Sequence, residues 1–571
     1  MRRLTFERGR CLACRSCEIA CAVAHSQAGT LEGALGETPV PRRRVVVATG
    51  RAGVEALRCE QCDEPLCVYA CKSGALARDP MSGIIALDED RCVGCAMCLM
   101  VCPFGLRLDP ERDRVVRCDV CAGRDVPACV VACPTRALGV AKEAVVRAVS
   151  SFTGRLVVVG SSAAGIAACE AAREFAPGCS ITMVTADAVP QYSRPLLAYA
   201  LAGRLAREEL GWRAVEYIEE EIGIEIVRGT RVASVRPDAR VLVLADGREI
   251  GYDALVIATG ARGKRLRVPG ADLPGVFTLR DIEDLDRIEE LARPGSRAVV
   301  LGGGNVGLQT CEALLERGLE VTVVYRSSHL LSQMVDAEAG RRVGALFVGH
   351  RLALRPGRDA VDIHGDGRVT AVKLDDGEEL LADIVVVGKG ISPNVEWLAG
   401  SGIEVRRGVV VDRRGRTNVA GVFAAGDCAE AVDPLTGESS VSGIWPVAYE
   451  MGRVAGAAAV GIARESAGAL RLNASRFFGQ TIVSIGEVRP ERLPGARAEV
   501  LASSKDVYRK LVYRDDRLVG ALLYGDISRA GQFYRQYREA ACQPPGSQMP
   551  PAHEPIGKGS PPYQGGIFRG G

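Results

Sequence analysis

The sequence predicts an α/β protein of several domains: a cysteine-ligated metal module first, then two three-layer nucleotide-binding folds, then a small α/β domain. Three observations carry that prediction. Of 21 cysteines, sixteen fall between Cys11 and Cys133 and five in all that follows. Behind them a strand, a glycine loop and a helix follow one another twice, from Arg155 and again from Arg297. The 571 residues leave room for about three or four domains.

The cysteine skew excludes a disulfide scaffold, which would spread its pairs through a small secreted fold. The 72 basic and 70 acidic residues leave a formal charge of +2, which argues against nucleic acid or a membrane surface as partner. No run of about 18 uncharged apolar residues occurs, so no membrane span is expected. The opening MRRLTFERGRCLAC lacks the apolar core of a secretory signal, and a reducing cytoplasm is the expected location.

The cysteines form quartets. Cys11, Cys14, Cys17 and Cys21 read C-x2-C-x2-C-x3-C, and Cys92, Cys95, Cys98 and Cys102 repeat that spacing. Cys59, Cys62, Cys67 and Cys71 read C-x2-C-x4-C-x3-C, and Cys118, Cys121, Cys129 and Cys133 read C-x2-C-x7-C-x3-C. Sixteen thiolates at four per cubane imply four [4Fe-4S] clusters with none left over. A C-x2-C-x2-C loop sets three sulfurs around three irons, and in two-cluster ferredoxins the fourth cysteine reaches the other cluster. Pro103 and Pro134, each after a fourth cysteine, fit that signature. Zinc ribbons also use paired C-x2-C motifs, but zinc needs neither the repeated run nor the CPTRAL at Cys133–Leu138.

The order of the quartets resembles four-cluster electron-transfer subunits of the formate hydrogenlyase and dimethylsulfoxide reductase type. CRSCEIACAVAHS at Cys14–Ser26 is most similar to the small ferredoxin-like partners of carbon monoxide dehydrogenase and tungsten aldehyde oxidoreductase. That resemblance implies a nested pairing, first quartet with fourth and second with third. Cys133 would join Cys11, Cys14 and Cys17, and Cys21 would join Cys118, Cys121 and Cys129. Cys102 would join Cys59, Cys62 and Cys67, and Cys71 would join Cys92, Cys95 and Cys98. Lys72 departs from the pattern, because proline commonly follows the fourth cysteine there.

Ala141–Ser151 reads as a helical linker. Then RLVVVG at Arg155–Gly160 is an apolar run of buried parallel-strand type. Gly160, Ser162 and Gly165 form a G-x-G-x-x-G loop whose middle glycine is serine. In such loops the first glycine makes the turn, the second lets a pyrophosphate approach, and the third lets helix pack on strand. An acid should end the second strand, Ile181–Thr185, for the ribose hydroxyls; Asp187 comes one residue late. The second copy, Gly302, Gly304 and Gly307, has the full motif between a strand and a helix. After its second strand stand Tyr325 and Arg326 instead of an acid. An arginine can accommodate the 2′-phosphate of NADP, so NADP is slightly favoured and NAD stays open.

With Ala258-Thr259-Gly260 and Gly426-Asp427 added, residues 155 to 465 resemble the pyridine-nucleotide-disulfide oxidoreductase superfamily. That likeness implies FAD in the first fold and NAD(P)H in the second, inserted one. It places Thr259 and Gly260 near the flavin and Asp427 on its ribityl chain. Tyr192 to Pro195, including Arg194, match the Y-x-R segment of nitrite-reductase-like and ferredoxin-reductase-like members. Trp445, Pro446 and Val447 match the helix start at the flavin's pyrimidine end. Gly388, Lys389 and Gly390 resemble the return from the nucleotide domain.

The fold class is therefore a tandem ferredoxin-like iron–sulfur module, two Rossmann-like FAD and NAD(P) domains, and a small α/β C-terminal domain. The expected division is 1–140 for the clusters, 141–154 for the linker, and 155–295 with 380–465 for FAD. Residues 296–379 are expected to bind NAD(P), 466–542 to form the C-terminal domain, and 543–571, rich in Pro, Gly and Ser, to be a disordered tail.

The five later cysteines, Cys169, Cys179, Cys311, Cys428 and Cys542, form no C-x4-C pair. Thiol–disulfide chemistry is disfavoured, and burial is expected for all five. His25 lies in the cluster motif and is expected to be structural before it is tuning. Arg42-Arg43-Arg44 reads as a solvated face. No acid–base catalytic dyad is called for, since hydride transfer needs orientation of nicotinamide over flavin. The expected activity is an FAD-dependent NAD(P)(H):iron–sulfur oxidoreductase, with an aldehyde ferredoxin oxidoreductase or carbon monoxide dehydrogenase as partner by resemblance. The alternative is a non-catalytic electron carrier or redox sensor with a degraded nucleotide site.

Overall fold

The computed structural model describes residues 2–50, 53–104, 106–109, 111–142, 148–188 and 191–542. The expected tail, 543–571, lies outside them. The chain divides into two units, Met1–Val146 with Ile527–Gly571, and Arg147–Asp526. Among the described residues no helix is long and apolar enough to cross a membrane.

The first unit is built from short elements around the cysteine loops. Arg2–Phe6 pairs antiparallel with Leu138–Lys142 and joins the start of the module to its end. Ala141 and Lys142, expected in a helical linker, are thus the end of a strand; their pairing with Arg3 and Arg2 replaces intrahelical bonds. Residues 143–147 of that linker lie outside the described residues. Small hairpins, Val46–Gly50 with Gly53–Leu57 and Leu76–Arg78 with Ile85–Leu87, space the loops. The helix Ala530–Cys542 also belongs here, with Phe533, Tyr534 and Tyr537 buried. Its Gly531 lies so close to the Met97–Val101 helix end that an added Cβ would sit 1.9 Å from the Cys102 carbonyl oxygen.

In the second unit, one five-stranded parallel sheet runs in the order Glu225–Val227, Ser180–Val184, Arg155–Val159, Ala254–Ile257, Val422–Ala424. A second runs Val276–Phe277, Ile384–Val387, Arg297–Leu301, Glu320–Tyr325, Ala353–Pro356. The central strands are apolar and buried on both faces, as parallel sheets demand. A three-stranded antiparallel meander completes each fold, Val232–Gly251 in the first and Ala360–Leu381 in the second. The second sheet is wider than 296–379, because Val276–Phe277 and Ile384–Val387 pair with each other in it. Where the chain enters and leaves this insert, Ala261–Gly263 pairs antiparallel with Ile391–Pro393.

The Ala-rich helix Ala163–Phe175 packs against Trp445–Ala459 almost backbone to backbone. An added Cβ on Gly452 would meet the Ala164 carbonyl oxygen at 2.2 Å, and one on Gly456 the Ala168 oxygen at 2.1 Å. Within the segment expected as an α/β domain, Leu472–Tyr524 is a five-stranded antiparallel sheet. The helix that follows it belongs to the first unit instead.

Candidate functional site

In the first unit, each quartet joins a loop to a short helix. Cys17 and Cys21 lie on Ser16–Ala24, Cys67 on Leu66–Tyr69, Cys98 on Met97–Val101, and Cys129 on Ala128–Val131. Left-handed residues bend the loops so that their sulfurs face inward: Ala13 and Arg15 in the first, Gln61 in the second, Gly94 and Ala96 in the third, Val120 and Cys121 in the fourth. Non-glycine residues adopt that backbone only under constraint.

The thiols gather in four sets. Burial pushes Cys17 up to about 12, and the charges of Glu18, Cys133, Cys14 and Cys11 push the same way. Burial raises Cys62 to about 11, with Cys59 and Cys102 adding to it, and raises Cys67, again with Cys102, Cys59 and Cys62 near. Cys98 is raised by burial and by Cys95, Cys71 and Cys92. Cys118 goes to about 12 through burial beside Cys21, and Cys129 rises with Cys21, Cys118 and Cys121 as neighbours. Each set thus has a cysteine of another motif beside it. Charges also cross between sets, Cys17 onto Cys129, Cys59 onto Cys118 and Cys67 onto Cys98. The sets therefore lie in a row: the Cys11 set, the Cys118 set, the Cys59 set, the Cys92 set. Thiols crowded in fours, all free of disulfides, fit a metal cluster, because bound metal displaces the thiol proton.

Polar groups surround the row. Arg44 N–H donates to Cys21 Sγ at 3.1 Å and Leu76 N–H to Cys71 Sγ at 3.3 Å. Arg117, 3% exposed, donates from Nη2 to Cys59 Sγ at 3.2 Å, while its buried Nε and Nη1 have no protein partner. Lys72 is buried with its charge near Cys95. His25 Nδ1 lies 2.7 Å from the Cys21 carbonyl oxygen and 3.8 Å from Cys21 Sγ; Nε2 lies 3.1 Å from Asp119. Arg42, Arg43 and Arg44 are not a solvated face: they pair inward with Asp109 and Glu111, Glu18, and Asp119.

In the second unit, the first glycine loop is shaped by close approach. Gly160 has φ +118°, and a Cβ there would lie 2.1 Å from the Ala258 carbonyl oxygen. A Cβ on Gly165 would lie 1.9 Å from the Gly160 oxygen. Ser162 caps the helix start by backbone alone, leaving its hydroxyl unused for capping. Asp187 and Arg194 come together at 2.8 Å, and the charge of Asp427 also acts on Arg194. Thr259 and Gly260 are pinned by Asn394, through Thr259 Oγ1 to the Asn394 oxygen at 2.8 Å and Asn394 N–H to the Gly260 oxygen at 3.0 Å. A Cβ on Gly426 would meet Ala164 Cβ at 2.8 Å and Ala448 Cβ at 3.5 Å. Asp427 stands by the start of the Trp445–Ala459 helix, where Pro446 occupies the first turn. Sequence reasoning missed Arg280, which pairs with Asp427 at 2.8 Å and bonds the Ala261 oxygen. Ser193 Oγ and Trp445 Nε1 are buried without a protein partner. Such orphaned groups around glycine-lined backbone fit a bound dinucleotide.

The second loop repeats this geometry. A Cβ on Gly302 would meet the Gly388 oxygen at 2.4 Å, and one on Gly307 the Gly302 oxygen at 2.0 Å, whereas one on Gly304 would meet nothing within 4 Å. The open side of Gly304 is where a pyrophosphate needs space. Arg326 is 81% exposed and pairs at 2.5 Å with Asp359, which Lys389 also contacts. Gly390 stays apart from this loop: its oxygen accepts from Lys264 N–H at the entry to the insert, and Gly388 packs on the loop instead. Cys169, Cys179, Cys311 and Cys428 are buried, whereas Cys542, expected to be so, is exposed at the end of the described residues.

The model of the pyridine nucleotide-disulphide oxidoreductase family matches residues 154–452. The chain belongs to that family. A 4Fe-4S dicluster domain matches residues 53–143, spanning the last three quartets, and a rubredoxin NAD+ reductase C-terminal domain matches residues 472–539. Among curated family members, the assimilatory nitrate reductase electron transfer subunit of Bacillus subtilis (strain 168) is 28% identical over 65% of this chain and 48% of its own length. The NADH-dependent phenylglyoxylate dehydrogenase subunit epsilon of Aromatoleum evansii is 31% identical over 58% and 79%. The chain spans about half the length of the first curated relatives it matches. Putidaredoxin reductase in its covalent complex with putidaredoxin superposes with a TM-score of 0.63 at 25% identity, covering 68% of this chain and 94% of that one. The NAD-dependent persulfide reductase of A. fulgidus gives 0.64 at 25%, over 67% and 77%.

Proposed function

We propose that the chain is an FAD-dependent NAD(P)(H):iron–sulfur oxidoreductase, passing electrons between a nicotinamide nucleotide and a protein partner through four [4Fe-4S] clusters. The observation that carries this reading is the presence in one chain of two glycine-loop cradles and a row of four cysteine sets. Nicotinamide exchanges a hydride and a cubane single electrons, and a bound flavin supplies the conversion between them. The chain's residues bind and orient. Gly302, Gly304 and Gly307 would hold the nucleotide pyrophosphate at a helix start, with Arg326 favouring a 2′-phosphate. Gly160, Ser162 and Gly165 would hold the FAD pyrophosphate, with Asp187 and Arg194 beside it. Thr259, Gly260, Gly426, Asp427 and the helix start at Pro446 would hold the flavin half, with Arg280 fixing the Asp427 carboxylate.

The names of relatives, an electron transfer subunit among them, support a redox protein as partner. The opening motif at Cys14–Ser26 is the support for an aldehyde ferredoxin oxidoreductase or carbon monoxide dehydrogenase in that place.

Anaerobic stopped-flow mixing tests the reading. NADH or NADPH should bleach the flavin and then the cluster absorbance, and iron analysis should give about sixteen per chain, four for each of four clusters. FAD-loaded protein that neither nucleotide bleaches would overturn the enzyme reading, and about eight irons would halve the cluster count. Asp427→Ala should lower flavin occupancy of purified protein while leaving its iron content in place.

A further inference from the structure

The row of cysteine sets has two ends, and they differ. Of the sixteen quartet cysteines only Cys14 is exposed. It belongs to the end set, which opens into a cavity lined by Cys11, Cys14, Cys17 and Cys133 together with Leu12, Arg15 and Pro134. At the other end Cys98 is buried and Cys71, Cys92 and Cys95 are half-buried. Electron tunnelling falls exponentially with distance, so a protein that exchanges electrons with the row meets it where a sulfur reaches the surface.

Beside these cysteines in the sequence stand exposed apolar and basic side chains, the residue types of a transient interface's centre and rim. Leu12 is 70% exposed and Val131, two residues before Cys133, is 73% exposed. Arg15 and Arg136 are exposed, flank Cys14 and Cys133 in sequence, and have no ion pair among the described residues. Neighbouring Arg8 and Arg10 are instead paired with Glu55 and Glu7. Arg15 and Arg136 thus leave two uncompensated positive charges beside these cysteines in the sequence.

We propose that the face around Cys14 is the docking surface for an acidic one-electron carrier protein, with Leu12 and Val131 at its centre and Arg15 and Arg136 on its rim. This rests on the cluster reading above. One electron leaves the reduced chain and reduces one oxidised carrier, with no bond made or broken. Rim charges act mainly on encounter rate.

The test uses holoprotein reduced with dithionite and desalted, so that it does not depend on nucleotide oxidation. It is mixed with an acidic bacterial 2[4Fe-4S] ferredoxin or with basic horse-heart cytochrome c at low ionic strength. In the Arg15→Glu/Arg136→Glu variant the ferredoxin rate should fall and the cytochrome c rate rise, each by about tenfold, the lower range of electrostatic steering. The ratio of the two rates is the readout, because partial loss of clusters lowers both together. Leu12→Ser/Val131→Ser should slow both proteins at high salt, where steering is screened. An unchanged ratio in the charge variant would overturn the proposal. So would sedimentation showing that this face joins two copies of the chain and that the variant separates them. Failure of nucleotide-driven flavin bleaching, by contrast, would count against the enzyme reading and leave this ratio measurable.

Discussion

Arg117 precedes a cysteine of the fourth quartet yet donates to Cys59 of the second. A cation donating to a cluster sulfur stabilises the reduced, more negative state and raises the potential. Arg117→Gln should lower the midpoint potential of one cluster by tens of millivolts, about 60 mV for each 1.4 kcal/mol of lost preference. Arg117→Lys should recover part of it, as read by EPR-monitored redox titration. The glycines of the second loop separate folding from binding. Gly307→Ala puts a Cβ against the Gly302 oxygen and should cost about 3 kcal/mol, at the top of the overpacking range. Gly304→Ala meets nothing and should leave thermal stability within about 0.5 kcal/mol. It should nonetheless weaken nucleotide binding about tenfold, or about 1.4 kcal/mol, as measured by flavin-bleaching titration. Motif glycines and cysteine spacings were legible because each constrains its own few residues. The ion pairs were not: Arg280 lies 147 residues from Asp427, and the partners of Arg42 to Arg44 include Asp109 and Asp119. No local pattern marks which charge will meet which.

The helix Ala337–Gly349 ties the inserted fold to the C-terminal sheet through Arg342, which donates to the Lys505 oxygen and Ser503 Oγ, through Phe347 on Phe477 and Phe478, and through its cap. Asp336 caps it by accepting from Ala339 N–H at 3.0 Å, and also meets Lys510 at 2.6 Å and the Tyr508 hydroxyl at 2.9 Å. Burial alone would raise the Asp336 carboxyl, but these donors outweigh it and hold the group below the usual carboxylate range. Asp336→Ala should cost about 3 kcal/mol, about 1 for the cap and about 2 or more for Lys510 left without its charge partner. A depressed carboxyl contributes its stability above its unfolded value near about 4 and loses it as pH falls through the folded value. The stability gap between the two proteins should therefore be level above about pH 5 and shrink below about pH 4 in urea denaturation. Element edges were the least legible part of the fold. Val276–Phe277 is a strand only because Ile384–Val387, over a hundred residues later, offers it an edge. Ala141–Lys142 likewise has helical composition and becomes a strand because Arg2 and Arg3 pair with it.

The whole molecule is discontinuous: the cluster unit is left at Val146 and re-entered at Ile527. Its helix Ala530–Cys542 packs on the Met97–Val101 helix, with Gly531 against Cys102. A chain ended after Asp526 should keep its flavin and lose iron from the Cys92 end of the row, as seen by metal analysis beside flavin content. The same arrangement sets a schedule for synthesis. From Lys142 to Ala530 are 388 residues, 530 minus 142, which a ribosome adds in roughly 20–80 s at about 5–20 residues per second. For that interval all sixteen cysteines are already made while the Ala530–Cys542 helix is not. Ribosome-arrested chains lacking residues beyond Asp526 should thus take up iron faster than the released apoprotein. Equal uptake rates would show that the Ala530–Cys542 helix does not limit access to the cysteine loops.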